Sequence, residues 1–174
     1  VEHGASEDAV FVFGNAEQRG VSMQGAAVSD KTAHNGGHSY RMAHEAGGTP
    51  PTLWRTFSPA VDLSFGGQYR PEDLGIAFWV YAENVGEPGQ YFVDLSSGSW
   101  NDVLRFANIY TTELTPEAGI WKRVILRFED GNNLGFDYTQ FKQMRILQHD
   151  YSKYGEDPAY EFYIDDIEIV ALPP

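Results

Sequence analysis

Apolar and polar residues alternate along much of this chain with the two-residue period that is typical of β-strands. The clearest case is the segment Leu74–Tyr81, where an apolar residue occupies every second position from Leu74 to Val80. Side chains of a strand point alternately to opposite faces of a sheet. The apolar row therefore predicts the face of this strand that packs on the core.

The same pattern predicts about ten strands, separated by turns rich in Gly, Pro, Asn and Asp. Only residues 138–143 suggest a short helical turn, and no alternation of strands with helices is visible. We therefore expect one all-β domain over residues 1–174, an antiparallel β-sandwich of the jelly-roll type with two sheets. The predicted strands are 9–13, 21–28, 38–42, 53–65, 74–81, 91–95, 103–109, 121–128, 144–149 and 161–170.

The last predicted strand carries two adjacent acidic residues, Asp165 and Asp166, between two apolar stretches. Apolar residues alternate up to Ile164 and again from Ile167, but the phase slips by one residue between them. One extra residue in a strand is a β-bulge. An unpaired buried carboxylate is costly, so we expect a bound cation or an arginine at this point.

Composition and charge exclude several classes of function. The chain has 25 acidic and 12 basic residues, a net charge of −13, which argues against nucleic acid and polyanionic ligands. It contains no apolar run long enough to span a membrane. It has no cysteine, which fits either a cytosolic protein or a bacterial secreted protein. Because it starts at Val1, we interpret it as a mature or excised piece.

Three segments together resemble the jelly-roll carbohydrate-binding modules that are appended to bacterial glycoside hydrolases and polysaccharide lyases. They are the glycine turn leading into a strand at 34–42 (HNGGHSYRM), the strand start at 121–126 (WKRVIL) and the ending at 162–167 (FYIDDI). Their order and spacing cover nearly the whole chain. The resemblance implies a secreted bacterial monomer that binds a polysaccharide without catalysis and accompanies an attached catalytic domain.

The resemblance also implies a structural calcium ion between the first strands and the last. Calcium prefers six to eight oxygen ligands from carboxylates and carbonyls. By the match to the family, Asp165 is a carboxylate ligand, and the loop from Asp30 to Gly37 donates carbonyl oxygens, with the Asp30 side chain as a further candidate.

The sequence departs from the family at one expected calcium ligand. Many members have a Glu directly after the aromatic residue of the first strand, whereas here Gly14 follows Phe13. Asn15 or Glu17 would have to substitute, or the site lacks one ligand. The alternative is that the carboxylates of the last strand pair with arginine or lie in solvent.

We expect carbohydrate to bind on the outer face of one sheet, where aromatic rings stack on sugars and polar groups read the hydroxyls. Trp79 and Tyr81 point away from the core row and should lie beside strands that carry Arg and His. Alternatively, loops cover Trp79. We interpret Trp121 as a packing residue, and Trp54 could lie at the rim of a groove. The expected carbohydrate-binding residues are Trp79, Tyr81, Trp100, Arg105, Arg127, Arg145 and His149.

An enzyme is the second hypothesis. Retaining glycosidases need two carboxylates at a fixed separation, and the Glu-x-Asp-x-x-Glu arrangement of jelly-roll glycosidases does not occur. A polysaccharide lyase could use His149 with Tyr151, Tyr154 and Arg145. A third hypothesis is a cell-surface adhesion or spacer domain. We expect the first hypothesis, carbohydrate binding, with a neutral polysaccharide as ligand because the chain is acidic.

Overall fold

The computed structural model describes residues 9–14, 22–24, 26–44, 51–83, 90–110, 118–148 and 160–173. Within these ranges the chain forms strands and three short 3-10 turns, and no α-helix. The 3-10 turns are Pro71–Asp73, Phe128–Asp130 and Tyr138–Gln140. The strands are β1 (Ala9–Gly14), β2 (Ser22–Gln24), β3 (Ala26–Ser29), β4 (Ser39–His44), β5 (Thr52–Val61), β6 (Leu74–Tyr81), β7 (Gln90–Ser96), β8 (Val103–Tyr110), β9 (Lys122–Arg127), β10 (Asn132–Leu134), β11 (Phe141–Gln148) and β12 (Tyr160–Ala171).

These strands make two six-stranded sheets. In the first, which we call the β12 sheet, the order is β3-β4-β12-β6-β9, and β1 also pairs with β12. In the second, the β7 sheet, the order is β10-β8-β7-β11-β5-β2. Every strand pair in both sheets is antiparallel, which confirms the predicted antiparallel β-sandwich. No helix of the described residues could cross a membrane.

The core lies between the two sheets. In β6, the predicted apolar row from Leu74 to Val80 is fully buried, as expected from its alternation. From the β7 sheet, Met144 and Ile146 of β11 face the same core, again as their alternation predicts. The two sheets thus stabilise each other by burying apolar side chains from both inner faces.

The strand count differs from the prediction where strands are short. The predicted strand 21–28 is two strands in different sheets, β2 in the β7 sheet and β3 in the β12 sheet. Pieces of three and four residues are too short for alternation to reveal a change of sheet. Strand β10 was missed because all three of its residues are exposed, so it has no apolar period. The expected helical turn is the shorter 3-10 turn Tyr138–Gln140.

The predicted bulge in the last strand is present. The pairing of β12 with β6 passes from Asp165 opposite Trp79 to Glu168 opposite Ala77, so β12 has one extra residue. Asp166 takes a left-handed conformation with φ of 49°, which places the two neighbouring carboxylates in different surroundings.

Candidate functional site

A row of polar and aromatic residues, one from each strand and opposite one another in the register, runs across the β7 sheet. In the next row, one residue further along the strands, Ile146 lies between Leu53 and Val93. All three are fully buried in the core. Because consecutive residues alternate between faces, the polar row points away from the core. We call this surface the outer face of the β7 sheet. Its row, in strand order, is Asn132, Arg105, Asp94, Arg145, Trp54 and Ser22.

Asp94 is the centre of this row and is fully buried. Arg105 binds it in a bidentate manner, with Nε donating to Oδ1 at 2.8 Å and Nη2 to Oδ2 at 2.9 Å. From the opposite side, Nε of Arg145 donates to Oδ2 at 2.9 Å, and its Nη2 lies 2.9 Å from the same oxygen. Such charge-assisted pairs compensate the cost of burying the carboxylate. The two arginines and the one aspartate give this row a net charge of +1, whereas the whole chain has a net charge of −13.

Aromatic rings pack against both guanidinium groups. Phe92 precedes Asp94 by two residues on β7, so it lies on the same face. Its ring centre is 4.8 Å from the guanidinium carbon of Arg105 and 5.9 Å from that of Arg145. The ring centre of Trp100 is only 4.0 Å from the guanidinium carbon of Arg145. These distances are those of cation–π contacts.

Trp100 comes from the loop between β7 and β8. The Ser96 hydroxyl donates to the carbonyl of Ser99 at 2.6 Å and accepts from the N–H of Gly98 at 3.2 Å. Gln143 of β11 donates from Nε2 to the carbonyl of Gly98 at 2.9 Å. The backbone of the loop is therefore tied to the sheet, which brings Trp100 over Arg145.

The structure brings together three of the seven predicted carbohydrate-binding residues, namely Trp100, Arg105 and Arg145. Trp79 and Tyr81 do not lie beside them, because β6 belongs to the β12 sheet whereas β8 and β11 belong to the β7 sheet. The expectation of one face for all of them is wrong. Alternation predicts which way a side chain points within its strand, but it does not assign the strand to a sheet.

Trp79 is covered by a loop residue. The His34 ring stacks on it with 3.8 Å between ring centres and 14° between planes. Trp121 contacts the same His34 edge-on at 5.7 Å and Tyr81 at 5.3 Å. These four rings form a cluster on the outer face of the β12 sheet, so Trp121 packs, as interpreted from the sequence.

Of the remaining predicted residues, Arg127 also lies apart from the row, on the strand β9 that pairs with β6, the strand of Trp79 and Tyr81. Arg127 ends β9 in the β12 sheet, where its Nε donates to Glu129 at 2.9 Å and both side chains are about half exposed. His149 falls outside the described residues, as does Glu17, the predicted substitute calcium ligand.

Asp165, the predicted calcium ligand, is fully buried and bound by backbone N–H groups. Its Oδ2 accepts from the N–H of His34 at 3.0 Å and of Asn35 at 3.1 Å, and its Oδ1 accepts from the N–H of Asp166 at 2.9 Å. Burial and the adjacent Asp166 raise the pKa of Asp165 to about 6, although the three N–H groups favour its charged form.

The His34 ring completes this arrangement. Its Nδ1 lies 2.8 Å from Oδ2 of Asp166, so the loop contacts both carboxylates of the bulge. Burial lowers the pKa of His34, and the charge of Asp165 partly opposes this effect. The two carboxylates thus have loop N–H groups and a histidine among their partners.

The contacts between Asp165 and the 30–37 loop are hydrogen bonds from N–H groups of the backbone. Calcium requires oxygen ligands, and what the loop presents to Asp165 is N–H groups. No group of three or more His, Cys, Asp or Glu side chains suited to a metal occurs among the described residues. Asp30 and Gly37 lie at the two ends of this loop and are exposed. Calcium therefore stays a prediction, and Glu17, one of its predicted ligands, lies outside the described ranges.

Asp94 and Phe92, which both contact Arg105 and Arg145, were not predicted from the sequence. A signal was present, because Asp94 is the one carboxylate inside the apolar strand 91–95. Its arginine partners lie on the flanking strands, and only the register of the sheet reveals them.

No protein-family model and no curated protein matches this sequence. Solved structures do match. SGBP-B from a xyloglucan utilization locus of Bacteroides uniformis aligns with a TM-score of 0.62 and 18% identity, over 95% of this chain and 50% of that chain. The family 30 carbohydrate-binding module of a cellulosomal cellulase of Clostridium thermocellum aligns with a TM-score of 0.60 and 15% identity, over 94% of this chain and 92% of that chain.

An exo-beta-agarase aligns with a TM-score of 0.66 and 12% identity, over 97% of this chain and 25% of that chain. This chain thus spans half of the Bacteroides protein and a quarter of the agarase, but nearly all of the family 30 module. These identities are low, so the likeness establishes the fold. The chain has the β-sandwich fold of carbohydrate-binding modules, in agreement with the resemblance of its sequence.

Proposed function

We propose that this chain is a non-catalytic carbohydrate-binding domain and that it binds polysaccharide on the outer face of the β7 sheet. The observation that carries the proposal is the row of Arg105, Asp94 and Arg145, with Trp100 stacked against one end. The β-sandwich neighbours that consist almost wholly of a carbohydrate-binding module support the class of function.

The row offers the two kinds of contact that a sugar needs. An aromatic ring such as Trp100 or Trp54 can stack on the apolar face of a pyranose. A guanidinium carries five N–H donors, and the bonds to Asp94 use Nε and Nη2 of each arginine. The Nη1 group of Arg105, the more exposed of the two arginines, is then available to donate to sugar hydroxyls.

The ligand that we propose is a neutral polysaccharide. The chain carries a net charge of −13, which repels a polyanion, and the single surplus positive charge of the row is small by comparison. We further propose that the domain is extracellular, that it is monomeric and that it accompanies a catalytic domain. Likeness to parts of longer proteins such as the agarase is consistent with such an arrangement.

A lyase is the competing proposal. Of the residues considered for it, His149, Tyr151 and Tyr154 lie outside the described ranges. Arg145 is described, and its guanidinium is bound to Asp94. Arg145 is thus better placed to hold the binding face than to neutralise the charge of a uronate during elimination.

The test is binding and turnover measured on the same samples. The purified chain is run by affinity gel electrophoresis against soluble xyloglucan, mixed-linkage β-glucan, xylan, mannan and agarose, with alginate and pectate as acidic controls. We expect retardation by at least one neutral polysaccharide and no new reducing ends or unsaturated products. Retardation by the acidic controls alone would overturn the neutral ligand, and turnover of any polysaccharide would overturn the non-catalytic function.

A further inference from the structure

We infer that Asp94 and Arg145 are positioning residues that hold the Trp100 ring in place for sugar stacking, whereas Arg105 contacts the sugar itself. The inference rests on the proposed function and assigns different roles to two arginines that the sequence does not distinguish.

Asp94 holds Arg145 in a fixed position. Asp94 lies on β7, with β8 on one side and β11 on the other, so an arginine reaches it from each neighbouring strand. Two nitrogens of Arg145 lie at 2.9 Å from the same carboxylate oxygen. Because Asp94 is fully buried, this pair is shielded from water, and the plane of the Arg145 guanidinium is held against the sheet.

The orientation of the Trp100 ring depends on the plane of the Arg145 guanidinium. The hydrogen bonds of Ser96, Gly98 and Gln143 hold the backbone of the loop, but they do not orient a side chain. The 4.0 Å stack on Arg145 is the contact that does so. Trp100 remains partly exposed, which leaves indole surface that a pyranose can cover.

Contacts and exposure separate the two arginines. Arg105 contacts Asp94 and the Phe92 ring, and its side chain is 30% exposed against 21% for Arg145. Arg105 is therefore the more accessible donor, while Arg145 is occupied by Asp94 and Trp100. An aromatic ring that is already held in place loses less conformational entropy when the sugar binds than a mobile ring does. Positioning the ring therefore increases affinity.

The experiment is a double-mutant cycle on affinity, measured by isothermal titration with the polysaccharide that binds best in the panel. Arg145→Lys keeps the charge but removes the planar surface for stacking. We expect R145K and W100A each to weaken binding about tenfold, and R145K/W100A to bind no more weakly than W100A alone. R105K is the matched control, and we expect its effect to add to that of W100A. Wild-type affinity in R145K, or additive losses in R145K/W100A, would overturn the inference.

Asp94→Asn supplies a second route. If D94N folds, its loss of affinity should also be non-additive with W100A, and an additive loss contradicts the positioning role. If the wild-type chain binds none of the polysaccharides, the proposed function fails on its own. The ring placement is then tested by the 15N-indole NMR signal of Trp100, assigned with W100A. We expect R145K to shift and broaden that signal and R105K to leave it in place; an unchanged signal in R145K would overturn the placement as well.

Discussion

The guanidinium carbon of Arg145 lies 4.0 Å from the centre of the Trp100 ring, and the same guanidinium is bound to the buried Asp94. A partly exposed loop tryptophan is thus connected to the middle of a sheet through one side chain. A ring that only filled space would not need an ion pair beneath it. The contact therefore fixes Trp100 against the β7 sheet, as the proposed role in ligand binding requires.

Loss of Asp94 should be costly for stability. Asp94→Ala leaves Arg105 and Arg145 side by side without their shared carboxylate, and breaking a buried pair in this way costs about 3 kcal/mol of the free energy of unfolding. Urea denaturation measures the change. Glu129→Ala is the matched control, because its pair with Arg127 is about half exposed and should contribute less than about 1 kcal/mol. Equal effects of the two variants would contradict the central role of Asp94.

Asp165 predicts a pH dependence of stability with a definite sign. Its pKa is raised from 3.8 to about 6 in the folded protein, so the folded state holds this proton more tightly than the unfolded chain. Relative to Asp165→Asn, the wild type should therefore lose stability as pH rises through about 4 to 6, by about 3 kcal/mol in all.

The measurement is urea denaturation of wild type and D165N at half-unit steps over that range. The lowered pKa of His34 acts with the opposite sign, and the difference between the two proteins retains only the part of that effect that depends on the charge of Asp165. A difference that stays constant, or that grows in favour of the wild type as pH rises, would show that the backbone N–H groups outweigh burial.

Calcium is predicted by the sequence resemblance and can be tested directly. If an ion links Asp165 to ligands such as Glu17, EDTA should lower the melting temperature, since a ligand that binds only the folded state stabilises it. Asp165→Ala should abolish most of that response, and Asp166→Ala should reduce it less. A melting temperature that EDTA leaves unchanged, with no metal in elemental analysis, would show that the hydrogen bonds of the 30–37 loop close the bulge without an ion.

The sequence predicts the features of this fold that depend on local alternation. The buried row of β6 and the bulge at Asp165 both follow from the order of apolar residues in a single strand. Features that depend on which strands are neighbours did not follow. Trp79 and Arg105 have the alternation expected of outward-facing residues, yet they lie on different sheets. Likewise, the partners of Asp94 become visible only when β7 is placed between β8 and β11.

The alternation of β6 also could not reveal what covers Trp79. His34 is distant from it in sequence and reaches it because the 30–37 loop folds back onto the bulge of β12. A glycine-rich loop shows no period from which this closure could be read. The side chain that the sequence favoured as a sugar platform therefore stacks on His34 on the β12 sheet.

The most direct test of this account compares Trp100→Ala with Trp79→Ala, measuring both polysaccharide affinity and melting temperature on each variant. We predict that W100A melts within a few degrees of wild type but binds about tenfold or more weakly. We predict that W79A melts lower, because the stack on His34 is lost, while its remaining folded fraction binds with wild-type affinity. The reverse result, with binding lost in W79A and kept in W100A, would place the carbohydrate site on the β12 sheet and contradict the account.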